Sequence, residues 1–279
     1  MRLAFRTHDL GVRGLDGAIA KAESYGISAL QLVAYKFMDE IKYAPGQLNE
    51  RNSAAIGAAL KSAGIEVGLI GAYFNPVHSD KQKVANCIEV FKEYLRYSKN
   101  LGCGIVGSET GSFNDDKWTY NPKNRTYEAL ETVVGIFKDL AHYAKSVGAC
   151  VGIEGAAGHV CYNVATLKRA VDMINCDNVR VIFDLYNYLD ESNCKDYLDI
   201  LDEGLKTFKG QIAVFHIKDC IFTDGKPEQV APGKGMLDFG KILSAIKAYD
   251  KDALLVLEGT TGEDAVPAIK FIESKWESV

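Results

Sequence analysis

Val151-Gly-Ile-Glu154, Val181-Ile-Phe-Asp184, Ala213-Val-Phe-His216 and Leu254-Leu-Val-Leu-Glu258 are four short apolar runs, each ending in a side chain that can bind a metal. A short apolar run bounded by turn residues reads as a strand buried on both faces, the habit of parallel sheets. Laid side by side, such strands bring Glu154, Asp184, His216 and Glu258 to one end, where they can converge on a single ion. Three carboxylates and one imidazole suit a divalent cation that is hard to borderline: Mn2+ first, with Mg2+, Co2+ or Zn2+ as alternatives. They suit a structural zinc poorly. Asp, Glu and His make up about 15% of the chain, so four successive strands ending this way by chance is on the order of one in two thousand.

The same strand signal recurs toward the N-terminus. Leu3-Ala-Phe-Arg-Thr7, Ala29-Leu-Gln-Leu-Val33, Glu66-Val-Gly-Leu-Ile-Gly-Ala-Tyr73 and Gly104-Ile-Val-Gly-Ser-Glu109 precede the four runs already quoted. Between them, apolar residues fall at three- and four-residue spacing, which predicts helices over 16–25, 50–63, 84–100, 126–146, 164–174, 194–207, 239–248 and 264–276. Gly26, Gly64, Gly102 and Gly148 follow four of these segments and supply the left-handed residue that closes a helix. Eight strands alternating with eight helices over 279 residues match a (β/α)8 TIM barrel, taken as one domain over residues 1–279. A doubly wound open sheet is the rival. It would usually carry Gly-x-Gly-x-x-Gly after its first strand, and this chain has none.

Strand parity supports the barrel. If the four donors point inward, so do Gly152, Ile182, Val214 and Val256, two residues earlier. Ile153, Phe183, Phe215 and Leu257 then face the helices, which puts small or β-branched groups inside and large ones outside. The donors also stand at the carboxyl ends of their strands, where such barrels place their chemistry.

Further candidates cluster at the same end. Glu109 either points into the mouth or caps its own turn. His159, in Gly155-Ala-Ala-Gly-His159, is either a substrate contact or a surface-loop histidine. Asn187 either orients a ligand or belongs to a turn, and Lys218 shares the parity of His216 and is expected to face the mouth. Lys218 and Asp219 are candidates for an ion pair or for substrate contact. His8, Asn75 and His78 lie at early strand ends with neither reading favoured, and His142 reads as structural or solvated.

Composition narrows the function. The chain is 47% apolar and 25% charged, as expected for an ordinary globular protein, and its net charge is −5. With an isoelectric point near 5.6 it carries no electrostatic footprint for nucleic acid. No run is long enough to span a bilayer, and the N-terminus lacks the apolar stretch of a signal peptide. Seven scattered cysteines without a Cys-x-x-Cys pair read as reduced thiols, which predicts a cytoplasmic protein. A homo-oligomer is allowed.

The strand-end order Glu, Asp, His, Glu resembles the xylose isomerase-like barrel superfamily, the sugar phosphate isomerase/epimerase group. Phe215-His-Ile-Lys-Asp219 and Pro232-Gly-Lys-Gly235 are similar to that group's His-x-Lys-Asp and Pro-Gly-x-Gly segments. The tetrad looks most like that of the ketose 3-epimerases. This resemblance implies that all four residues bind Mn2+ or a similar ion, and that Glu154 and Glu258 also transfer protons. Two features depart from the epimerases: Asn187 stands where they have a histidine, and no arginine follows His216. Lys218 or Lys234 is then the replacement cation. Endonuclease IV, in the same superfamily, needs several more histidines than the five present here.

These expectations lead to a metal-dependent isomerase or epimerase acting on a sugar or related ketone through an enediolate. A dehydratase or lyase on an inosose or dehydroshikimate-like compound shares the enediolate step. A non-catalytic sugar-binding barrel is the reading from another class. No Gly-x-x-x-x-Gly-Lys phosphate loop is present, which favours unphosphorylated carbohydrate substrates.

Overall fold

The computed structural model describes residues 1–224 and 226–279. Eight parallel strands close a barrel: β1 (Arg2–Arg6), β2 (Ala29–Leu32), β3 (Glu66–Gly71), β4 (Ile105–Glu109), β5 (Cys150–Glu154), β6 (Val179–Asp184), β7 (Ile212–Ile217) and β10 (Leu254–Leu257). Strand β10 returns to pair with β1, so no edge is left open. Around the barrel run α1 (Leu15–Tyr25), α3 (Glu50–Ser62), α4 (Lys81–Tyr97), α5 (Tyr127–Val147), α6 (Val164–Ile174), α7 (Tyr197–Thr207), α8 (Phe239–Tyr249) and α9 (Ala265–Ser278). A single turn, α2 (Ala34–Phe37), follows β2. This is the (β/α)8 TIM barrel expected from the sequence.

The helices start and stop where local chemistry dictates. Asn49, Asp80, Thr126, Asn163 and Asp238 each accept a backbone N–H of the helix they precede, satisfying donors the first turn leaves free. Gly26 and Gly148 sit at φ 70° and 71° directly after α1 and α5, a conformation costly for a residue with a Cβ. Some boundaries shift. Helix α4 ends at Tyr97 rather than residue 100, and a 3-10 turn over Cys194–Asp196 precedes α7, which begins three residues later than the spacing suggested.

Parity holds inside the barrel. Ala4, Ala29, Leu69, Ile182, Val214, Leu254 and Val256 form a compact interior cluster, whereas Ile153, Phe183, Phe215 and Leu257 join the larger core under the helices. Glycines at 107 and 152 make room for Ile182 to cross the lumen. A Cβ on Gly107 would stand 2.4 Å from the Ile182 Cδ1, and one on Gly152 would stand 3.0 Å away.

One element was not expected. Strands β8 (Asp219–Thr223) and β9 (Lys226–Val230) form an antiparallel hairpin standing off the barrel after β7. Among the described residues no two cysteines are bonded. Among the described residues no helix is long and apolar enough to cross a membrane.

Candidate metal centre

Glu154, Asp184, His216 and Glu258 each offer a donor atom, and these four atoms lie within 4.8 Å of one another. They do not share one row of the barrel. Asp184 pairs in register with His216, while Glu154 stands beside Ile182, two residues below Asp184 on β6. Glu258 follows the last residue of β10, and its amide still donates to the Ile217 carbonyl at 3.4 Å. Strand tilt in a closed barrel converts this stagger into convergence.

The imidazole of His216 is the hub. Its Nδ1 lies 2.9 Å from Glu258 Oε2, 3.2 Å from Glu154 Oε1 and 3.7 Å from Asp184 Oδ2. Its Nε2 faces the other way and donates to Gln31 Oε1 at 2.9 Å, a tautomer assigned from the bonding network. Gln31 in turn donates to the Tyr73 hydroxyl at 2.6 Å.

Two cations balance the carboxylates. Lys218 Nζ lies 2.7 Å from Asp184 Oδ2 and 2.8 Å from Glu258 Oε1, and it donates to Asn187 Oδ1 at 3.1 Å. Asn187 passes the contact on, donating from Nδ2 to Glu154 Oε1 at 2.7 Å. From β1, Arg6 reaches Glu258 Oε1 at 2.7 Å while its Nε donates to Asp9 Oδ2 at 2.7 Å. The same Asp9 oxygen accepts the Gly259 amide at 2.7 Å, so Asp9 fixes both Arg6 and the backbone just past Glu258.

These contacts drive the titrating groups apart. Burial pushes the Glu154 carboxyl up to about 7, with His216 pulling against it. For Glu258 burial acts in the same sense, but Lys218, His216 and Arg6 outweigh it and hold the carboxyl well below its ordinary range. Burial lowers the His216 imidazolium, yet Glu154 and Glu258 override this and push it up to about 10. Glu109 is pushed up to about 7 by burial and then by the charge of Glu258.

The residues fit a divalent ion. Donors bound at roughly 2.1 Å from one ion are at most about 4.2 Å apart, so a contraction of about 0.6 Å from the 4.8 Å seen here completes the set. Glu154 Oε2 is buried without a hydrogen-bond partner among the described residues, an unpaid desolvation that a cation would relieve. His216 presents Nδ1 to the centre while Nε2 is held by an amide oxygen, the outer-shell arrangement usual for a metal-binding histidine.

The other sequence candidates divide. Asn187 and Lys218 are in the centre. His159 Nδ1 lies 3.3 Å from Glu109 Oε2, its ring packs edge-on to Trp118, and burial lowers its pKa to about 4. Glu109 therefore faces the imidazole that follows the neighbouring strand β5. Lys234 does not replace a cation here, because it pairs with Asp264 at the surface.

Asp219 does not form the ion pair with Lys218. Opposite in parity, it accepts the amides of Cys220, Gly233, Gly235 and Leu237 and so pins the Pro232-Gly-Lys-Gly235 turn. His78 lies by Asp115 and Asp116 and is not among the four donors, and His142 is exposed on α5. His8 lies 4.0 Å from Asp9 with its Nδ1 buried and unpartnered. Arg6, Asp9, Gln31 and Tyr73 were missed. Gln31, a lone amide in an apolar strand, was the available signal.

Known proteins share this architecture. The family described as the xylose isomerase-like TIM barrel matches residues 19–275. An L-ribulose 3-epimerase superposes with a TM-score of 0.73 at 15% identity, covering 99% of this chain and 95% of its own. A 3-keto-D-glucoside 4-epimerase from E. coli gives 0.75 at 16% identity, with 98% and 99% covered. The IOLI protein with a bound zinc atom gives 0.72 at 18% identity, with 99% and 96% covered. At such identities the likeness is one of fold. No curated protein sequence matches the chain. The family match over nearly the whole length, and the closed eight-stranded barrel, place this chain in the xylose isomerase-like TIM barrel family.

Proposed function

We propose that the protein, acting as one barrel domain over residues 1–279, is a divalent-metal-dependent isomerase or epimerase of a sugar or related ketone. The observation that carries the reading is the convergence of Glu154, Asp184, His216 and Glu258, whose donor atoms lie within 4.8 Å of one another and include two glutamate carboxylates from different strands. Two carboxyls so placed are suited to opposite halves of a proton transfer.

A proton beside a carbonyl is weakly acidic, and its removal requires the developing enediolate charge to be stabilised. A divalent ion held by Glu154, Asp184, His216 and Glu258 would supply Lewis acidity that stabilises this charge. Mn2+ is the first choice for this donor set. One of the two glutamates takes the proton, and Lys218 and Arg6 hold Glu258 in place for its part. The other glutamate returns one, with Glu154 steadied by Asn187. Lys218 holds positive charge beside the reacting oxygens, while Glu109 and His159 line the mouth. Return of the proton to the opposite face gives epimerisation, and return to the neighbouring carbon gives isomerisation.

Structural relatives that act on sugars and on a keto-glycoside support the carbohydrate assignment. The test is incubation of a panel of ketoses, keto-glycosides and inososes with Mn2+-loaded enzyme in deuterated water. Deuterium entering one carbon next to a carbonyl, without loss of a hydroxyl, is the expected result. Elimination would transfer the assignment to a dehydratase, and absence of exchange across the panel would refute proton-transfer chemistry.

A further inference from the structure

Beside the metal centre, on the β3–β4 side of the mouth, lies a cavity of about 190 Å³ that the mechanism does not use. Tyr43, Tyr73 and Trp118 contribute aromatic walls, and His78, Lys83 and Asp116 contribute polar groups. Two contact chains join it to the centre. Tyr73 is bonded to Gln31, which holds His216. Trp118 packs on His159, which faces Glu109.

The Trp118 wall is held under strain. Trp118 and Asp115 have φ values of 54° and 53°, a left-handed conformation that is uncommon for residues with a side chain and an outlier for a bulky one. Polar anchors hold the segment that leads into Trp118. The Asn75 amide donates to the Ser112 and Asp115 carbonyls at 2.6 and 2.8 Å, and the Ser79 amide donates to the Asp115 carboxylate at 2.8 Å. Strain that persists under such anchoring fixes the position of a side chain.

We propose that this cavity is a subsite for a second, hydroxylated six-membered ring, so that the substrate is a glycosylated ketone and not a free monosaccharide. Size sets the limit: a cavity of roughly 150 Å³ takes up benzene, so about 190 Å³ holds one ring with substituents and no more. The chemistry of the walls sets the class. A pyranose offers apolar C–H faces, which match aromatic walls, and a belt of hydroxyls, which match an imidazole, an ammonium and a carboxylate. Lys83 and Asp116 already pair with each other and lie close to His78, so the belt is preorganised.

The inference rests on the carbohydrate reading of the metal centre but is tested by binding alone. Trp118 is one of two tryptophans, and Trp276→Phe leaves it as the sole indole reporter. That protein is titrated with glucose, cellobiose and phenyl β-glucoside, following Trp118 emission. Cellobiose is expected to shift the emission at a concentration at least tenfold below that needed for glucose. Lys83→Ala, in an exposed side chain, and Cys87→Phe, which fills the cavity, are each expected to remove most of that advantage. Equal response to glucose and cellobiose would overturn the subsite. Phenyl β-glucoside matching cellobiose, with Lys83→Ala inert, would overturn the hydroxylated ring. Failure of metal-dependent exchange leaves these binding results intact, so the two readings fail separately.

Discussion

Gln31 on β2 and His216 on β7 are bonded across the barrel, the Nε2–H of the imidazole donating to the amide oxygen at 2.9 Å. The bond fixes which nitrogen turns toward the carboxylates and which way the ring faces. Gln31→Leu removes that restraint and leaves Nε2 without its partner. Divalent-ion affinity, measured by titration calorimetry with Mn2+, is expected to fall about 10–100-fold, with the far-UV spectrum unchanged. Affinity equal to wild type would mean that His216 does not bind the ion through Nδ1.

Much of this centre was legible in the sequence, and the reason is periodicity. Buried parallel strands read as apolar runs, so Glu154, Asp184, His216 and Glu258 stood out as the first polar groups after each run. Gly152 and Ile182 announced the interior by parity. Arg6 was hidden because Leu3-Ala-Phe-Arg-Thr7 yields a strand without revealing that Arg6 meets a carboxylate 252 positions away. Such closure between the first and last barrel strands is tertiary and leaves no local mark. The β8–β9 hairpin was missed because its second strand is polar and includes Pro227, although Asp224-Gly225 is a hairpin signal. The ion pair considered for Lys218 and Asp219 does not form because neighbouring residues on a strand face opposite ways, and Asp219 is bonded to backbone amides of a later turn.

The pH dependence follows from His216. Its folded pKa lies near 10, above the unfolded value of about 6.5, so its contribution to stability is complete below about 6.5 and is lost as pH rises toward 10. Chelator-treated protein is expected to lose chemical-denaturation stability across that window, and His216→Asn to flatten the loss. An ion can take Nδ1 only by displacing its proton, so uptake near pH 8 releases about one proton, read from calorimetry in buffers of different ionisation enthalpy. No proton release would contradict the assignment of His216 as a ligand.

Lys218 is buried against two carboxylates, so its removal leaves Asp184 and Glu258 with less compensation. Lys218→Met in chelator-treated protein is expected to lose roughly 3–5 kcal/mol of stability by urea unfolding. Excess Mn2+ recovers part of this, because an ion that binds only the folded state stabilises it by mass action. A loss untouched by the ion would separate Lys218 from the donor cluster.

The account stands most directly on the roles of Glu154 and Glu258. Solvent-deuterium incorporation into an accepted ketone, followed for wild type, Glu154→Gln and Glu258→Gln with Mn2+ at saturation, tests both at once. The expected result is loss of at least about 100-fold in each variant, the scale of general acid–base catalysis, with folding and the β-barrel spectrum retained. Wild-type exchange in both variants would contradict the proton-transfer assignment.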